Sequence, residues 1–287
     1  MNQMVTIDRK AADGKPGDYW EWYWQGKTFE EQELYSEAIA SFDKALQIQP
    51  DDYWAWYKRS KALQALGNYE EAIASFDKTL SVRPSDYWSW YNRGCVALDD
   101  LDDFSEAIAN FDRALEIRPR DFWAWFKRGD ALRHLKRYEE ALLNYDRAIA
   151  ARRQDFLAWL RRGDVLRLME RYEEALASYE QALKDEEGDL FWAFYKRGDV
   201  LRYLKRYSDA IESYDRALTI QPDDEYAWYN KACCYAILGN ADLAIENLQK
   251  AICLHPSEYK TLAKTDPDFQ QIRGNQQFQA LLQGGVN

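Results

Sequence analysis

A fixed internal period constrains this chain more than any other feature. Written in rows that begin at Tyr19, Tyr53, Tyr87, Phe122, Phe156, Phe191 and Glu225, the 287 residues give seven segments about 34 residues apart, with one extra residue in the rows from Tyr87 and Phe156. Such a chain buries its apolar faces against its own neighbours in sequence, so its length measures repeat number and not domain count. One column holds Trp22, Trp56, Trp90, Trp125, Trp159, Phe194 and Trp228. A second is uniformly small, from Ala38, Ala72 and Ala107 through Ala141, Ala175, Ala210 and Ala244, and four residues later come Phe42, Phe76, Phe111, Tyr145, Tyr179, Tyr214 and Leu248. A small side chain lets two helices approach, and a large one a turn later fills the space beside it.

Each row divides into two helices. An aspartate precedes the first (Asp18, Asp52, Asp86, Asp121, Asp155 and Asp224, with Asp189 one residue further back), placed to accept orphan N–H groups of the first turn. Breaks such as Gly67-Asn68 and Gly239-Asn240 separate the helices, while Lys136-Arg137 and Lys205-Arg206 do so without glycine. Prolines 50, 84, 119, 222 and 256 end the second helix. Arg153 and Glu187 replace them in two middle rows, where the helix is expected to run on or turn by another route.

The rows, for example WYKRSKALQALGNYEEAIASFDKTLSVRP, resemble the tetratricopeptide repeat from Tyr19 to about Pro256. Thr79, in a column otherwise filled by Ala45, Ala114 and Ala148, and the missing prolines depart from that pattern. The resemblance implies an all-α, right-handed α-solenoid of seven helix pairs. The segment YKTLAKTDPDFQQIRGNQQFQALLQGG resembles the closing segment of bacterial, cyanobacterial-like members, and Phe278, Leu281 and Leu282 form one apolar stripe suited to capping the last repeat. The expected organisation is a flexible N-terminal arm over residues 1–18, repeats over 19–258, and capping helices with a tail over 259–287.

Catalytic chemistry finds few groups here. The two histidines, His134 and His255, have no ligand partners at metal spacing, and phosphate-binding glycine loops are absent, so no catalytic residue, metal or cofactor is expected. Cys95, Cys233, Cys234 and Cys253 form no CxxC pair and read as reduced thiols of a cytoplasmic protein, with Cys233-Cys234 as small, half-buried side chains. The formal charge of −11, from 38 basic and 49 acidic residues, disfavours nucleic acid. No run approaches the roughly 20 apolar residues of a membrane span. Lys127 to Arg171 carries twelve basic and seven acidic residues and is expected to be locally positive, steering an acidic partner.

The remaining signal is a second stripe on each first helix. Trp20, Trp54, Trp88, Trp123, Leu157, Trp192 and Tyr226 begin it, and Tyr23, Tyr57, Tyr91, Phe126, Leu160, Tyr195 and Tyr229 follow three residues later. Asp130 with Arg133, Asp164 with Arg167, and Asp199 with Arg202 continue it as pairs three apart. Family resemblance implies that this stripe faces the concave groove where peptides are held. The tyrosine column is read as either structural or groove-lining and the tryptophan column as exposed, since Trp56, Trp90 and Trp125 are expected to pack the repeat, with Trp125→Ala costing about 3–5 kcal/mol. Tyr23, Tyr57 and Tyr91, followed by Lys27, Lys61 and Cys95, depart from the lysine, arginine and asparagine set of members that clamp a terminal carboxylate.

The expected function is a non-catalytic scaffold holding an extended or helical protein segment by apolar or aromatic anchors, with partner cations able to stack on the rings. A self-associating structural protein or complex-assembly factor is the main alternative, and a small-molecule or glycan binder a weaker one. Trp24 stands where other rows have Lys58, Asn92, Lys127, Arg161, Lys196 or Asn230, which marks the N-terminal end as a surface for a partner or a second copy.

Overall fold

Capped aspartates start the helices as expected. The computed structural model describes residues 18–185 and 188–283, and among these all regular structure is helical. The side chains of Asp18, Asp52, Asp86, Asp121, Asp155 and Asp224 accept the N–H three residues on, at 2.6–3.0 Å. Asp189 precedes its helix without such a bond. The expected arm lies outside the described residues apart from Asp18, as does Glu187.

The chain forms two units, one through Arg137 and one from Tyr138. The first contains α1 (Tyr19–Glu31), α2 (Tyr35–Ile48), α3 (Tyr53–Ala65), α4 (Tyr69–Val82), α5 (Tyr87–Cys95), α6 (Phe104–Ile117) and α7 (Phe122–His134). The second contains α8 (Tyr138–Ala151), α9 (Phe156–Leu168), α10 (Tyr172–Ala182), α11 (Leu190–Tyr203), α12 (Tyr207–Ile220), α13 (Glu225–Ile237), α14 (Ala241–Leu254), α15 (Pro256–Thr265) and α16 (Gln276–Gln283). The helices therefore follow the chain order expected of the seven rows, with further helices after them. The two middle helices that lack a proline do not run on: α8 ends at Ala151 and α10 stops early at Ala182. Pro256 opens α15 at its first turn, where a missing N–H costs nothing.

The extra residue of the third row is a π-helical turn, Val96–Asp100, which continues α5. That of the fifth row falls in the link between α10 and α11.

Inside each pair the large residue of the second helix is the core. Phe42, Phe76, Phe111, Tyr179 and Tyr214 are fully buried, each beneath the first helix of its own row. The close approach needs a small residue opposite: a Cβ on Gly163 would lie 2.5 Å from the Tyr179 ring. The row-opening aromatics Tyr19, Tyr53, Tyr87, Phe156 and Phe191 are buried too, a column that periodicity alone left without a role.

One core assignment is corrected. Trp56, Trp90 and Trp125 are half-buried, and their indole N–H groups donate to the carbonyls of Pro50, Pro84 and Pro119 at 2.7, 2.8 and 2.9 Å. Trp159 and Trp228 do the same to Arg153 and Pro222. An indole needs an acceptor when it loses water, and the linker carbonyl six residues back supplies one. The column braces each linker from the edge of the core, packed against it and not buried within it.

Neighbouring rows are joined by a repeated ion pair that the sequence reading missed. Arg59, Arg93 and Arg128 reach back to Asp43, Asp77 and Asp112 on the preceding second helix at 2.6–2.9 Å, and Arg162, Arg197 and Lys231 reach Asp146, Glu180 and Asp215 at 2.6–3.4 Å. Arg59, Arg162 and Arg197 also bond Ser75, Ser178 and Ser213 on their own second helix. The basic excess counted from Lys127 to Arg171 is offset in part, because Lys127, Arg128 and Arg171 are paired with Asp99, Asp112 and Glu174 outside the stretch, while its own Asp164 is taken by Lys196.

In the second unit, Tyr259, Phe269, Ile272, Phe278 and Leu281 join one buried cluster with Tyr229, Cys233, Leu248 and Ile252, so the closing segment covers the α13–α14 pair.

Candidate partner-binding face

The tryptophans that open the first helices are exposed. Trp54, Trp88 and Trp192 keep 51%, 49% and 46% of their surface in water, and Trp20 and Trp123 are also exposed. They are nevertheless held in place. The Trp54 ring meets Tyr53 edge-on at 4.9 Å and Tyr57 at 6.4 Å, while Tyr53 and Tyr57 stack on each other at 5.9 Å. Trp88 repeats this with Tyr87 and Tyr91 at 5.0 and 6.2 Å, and Trp192 with Phe191 and Tyr195 at 5.2 and 6.1 Å. Two buried or half-buried rings thus orient a third that keeps about half of its surface in water, the arrangement that gives contact area at low entropic cost.

The second column faces inward. Tyr23, Phe126, Leu160 and Tyr229 are buried, and Tyr57, Tyr91 and Tyr195 are half-buried. Their polar ends work at the joints between rows: the Tyr57 and Tyr195 hydroxyls accept from Asn92 and Asn230 at 3.1 Å, and Tyr229 donates to Asp266 at 2.6 Å. Tyr226 is exposed, with Tyr259 of α15 edge-on to it at 6.3 Å.

The charged series is only partly the expected set of pairs. Asp130 and Arg133 lie 3.7 Å apart. Asp164 is buried, accepts from the Tyr179 hydroxyl at 2.9 Å, and pairs with Lys196 of the next row at 2.7 Å and Arg161 at 3.6 Å. Asp199 accepts from Tyr214 at 2.8 Å and from Asn230 at 3.2 Å, and burial pushes its carboxyl above the usual range. Arg202 donates to Asn230 at 3.0 Å and approaches Asp268 at 3.8 Å; burial lowers the half-buried Arg167, but Tyr179, Asp164 and Asp199 beside it outweigh that and raise it. Tyrosine in the core column accompanies aspartate on the stripe in these rows, because a buried carboxylate needs the donor that phenylalanine lacks.

The thiols of Cys95 and Cys234 are not poised as nucleophiles. Burial pushes the thiols of Cys95 and Cys234 up to about 11 and 12, away from the nucleophilic thiolate. Cys233, Asp266 and Asp268 lie together, but Asp266 caps Asp268 at 2.9 Å and accepts from Tyr229, and Arg202 is beside Asp268. Those donors serve the joint between α13 and the closing segment. No helix among the described residues is long and apolar enough to cross a membrane.

Family models described as tetratricopeptide repeat match residues 30–89, 95–155, 154–223 and 195–259. No curated protein matches the chain. Among solved structures, the protein MamA is similar with a TM-score of 0.56 at 20% identity, over 59% of this chain and 92% of that one. YrrB, described as a TPR protein with an unusual peptide-binding site, is similar with a TM-score of 0.56 at 26% identity, over 65% of this chain and 95% of its own. A tetratricopeptide repeat protein from Parabacteroides merdae is similar over 86% of this chain and 97% of its own, with a TM-score of 0.62 at 17% identity. Residue columns, helix pairs and these likenesses agree, and the chain belongs to the tetratricopeptide repeat family.

Proposed function

We propose that this chain is a non-catalytic scaffold that holds an extended or helical segment of another protein against the tryptophan face of its first helices. Trp54, Trp88, Trp123 and Trp192 are the anchors, and Asp130, Arg133, Asp199 and Arg202 set register beside them. The observation that carries this reading is the combination of exposure and orientation: each indole is about half in water yet is held edge-on by neighbouring rings. Core packing does not need such a residue, and large exposed aromatics concentrate at interaction surfaces. The peptide-binding description of YrrB is in keeping with it. The same reading divides the chain into an arm (1–18), repeats (19–258) and a capping segment with tail (259–287), and places it in the cytoplasm.

The test is affinity capture from the native cell with the full chain, read by quantitative mass spectrometry against two variants. A partner retained by wild type and Trp56→Phe but lost by Trp54→Ala/Trp88→Ala supports the reading; one retained equally by all three contradicts it.

A second reading rests on Trp24, exposed at the place where later rows carry the polar side chain that reaches the preceding row. Lys58 there pairs with Glu30 at 2.8 Å and Lys196 with Asp164 at 2.7 Å, whereas Trp24 carries Lys27 over its ring at 4.7 Å. On this reading the N-terminal end docks a partner or a second copy.

A further inference from the structure

Two arginines in the first unit lie over the rings that open the second and third rows. The Arg83 guanidinium lies 4.1 Å over the Tyr53 ring and 5.8 Å from Trp54; Arg118 lies 4.1 Å over Tyr87 and 5.2 Å from Trp88. Both are exposed, in the linkers just before Pro84 and Pro119. Most neighbouring cations are engaged by carboxylates, as with Lys58 and Glu30, Arg59 and Asp43, or Lys127 and Asp99. Arg83 and Arg118 have no carboxylate within ion-pair distance among the described residues. The repeat does not require arginine there: Gln49 and Gln221 occupy the place in the first and sixth rows, where the helices form equally.

A guanidinium held over a ring in an exposed side chain keeps N–H groups in water, available for bidentate contact with a carboxylate. Beside each one stands a half-exposed indole. The partner's own cations are not wanted at these rings, because the chain's arginines already cover the Tyr53 and Tyr87 faces. We infer that the second and third rows read an acidic protein segment, in which apolar side chains rest on Trp54 and Trp88 and neighbouring Asp or Glu side chains meet Arg83 and Arg118. This deepens the partner-binding reading and rests on it. Each arginine stands beside the tryptophan of its own row, so a segment that engages both rows would carry two acidic–apolar pairs. A peptide with a few discrete carboxylates suits a chain of formal charge −11 better than a continuous polyanion does.

Selection of a random 12-residue peptide display library on the immobilised full chain tests this. The expected result is enrichment of Asp and Glu next to Leu, Phe or Trp, falling at least tenfold on Arg83→Gln/Arg118→Gln. Glutamine already serves at this place in two rows, and an unchanged melting temperature confirms that the variant is folded. Acidic enrichment that persists in that variant, or enrichment of neutral or basic peptides, overturns the inference while leaving the groove reading intact if Trp54→Ala/Trp88→Ala still abolishes selection. Selection that ignores the tryptophan variant, or a library with no enriched sequence, overturns the groove reading itself. Binding of a 20-nucleotide oligouridylate that depends on Arg83 and Arg118 overturns the peptide assignment in favour of single-stranded RNA.

Discussion

Glu33, Asp102, Lys136, Glu170 and Lys205 hold φ between 53° and 59°, the left-handed backbone that Gly67 and Gly239 adopt at the equivalent turns. A side chain there costs roughly 1–2 kcal/mol, partly offset because glycine loses more freedom on folding. Lys205→Gly is therefore expected to stabilise the protein by up to about 1 kcal/mol in chemical denaturation. The break between helices was legible without glycine, but its left-handed residue was not, since lysine carries no local sign of positive φ. The tryptophans show the same limit more sharply. Trp54 and Trp56 belong to equally regular columns, so period alone could not decide which one packs and which is exposed; the acceptor that decides it, the Pro50 carbonyl, belongs to the backbone. Trp56→Phe keeps the ring and loses the hydrogen bond, with an expected cost of about 0.5–1.5 kcal/mol, whereas Trp54→Ala should leave the thermal midpoint nearly unchanged. Equal and large destabilisation by both would mean that the two columns are structural alike.

Between helices, the arginine ladder does the work that a sequence reading centred on aromatic columns overlooked. Its trace is present as a column of Arg59, Arg93, Arg128, Arg162, Arg197 and Lys231, and a matching acidic column from Asp43 to Asp215, but pairing them requires knowing that each first helix faces the preceding second helix. In the third row Arg93, paired with Asp77, also binds Glu106 and, at 2.8 Å, Asn110 on α6, as Arg59 approaches Glu71 at 3.6 Å in the second. The hydrogen bond from Arg93 holds the Glu106 carboxyl below its usual value. The folded state therefore binds that proton less readily than the unfolded one. Its contribution to stability is complete above the ordinary glutamate range of about 4.3 and is lost as pH falls through the depressed folded value. Glu106→Gln should flatten the fall in melting temperature below about pH 5 relative to wild type, and a parallel acid profile for both proteins would remove the pair from the account. The extra residue itself was visible as a break in period. That it enters as a π-turn, bringing Asp99 to Lys127 and Asp100 to Gln64, was not, because an insertion can equally lengthen a linker, as it does in the fifth row.

At the scale of the whole molecule, the ladder also marks its ends. Gln25 takes the arginine place in the first row and Gln249 the acidic place in the last, and the closing segment buries the last row under Tyr259, Phe269 and Phe278. Two copies stacked through these places would lack the ladder's ion pair, and the exposed Trp24 is a feature that would drive self-association. If it does, static light scattering should show mass rising with concentration for wild type and a constant monomer mass for Trp24→Lys; a constant monomer mass for both removes this end as a self-association site. The central claim concerns the tryptophan face and not the ends. It is tested most directly by titrating the captured partner segment into wild type and into Trp54→Ala/Trp88→Ala/Trp192→Ala, each checked for its melting temperature. The account predicts unchanged melting within a few degrees and a loss of about 2 kcal/mol or more per anchoring residue, enough to take binding beyond detection. A variant that melts like wild type and binds with the same affinity would contradict it.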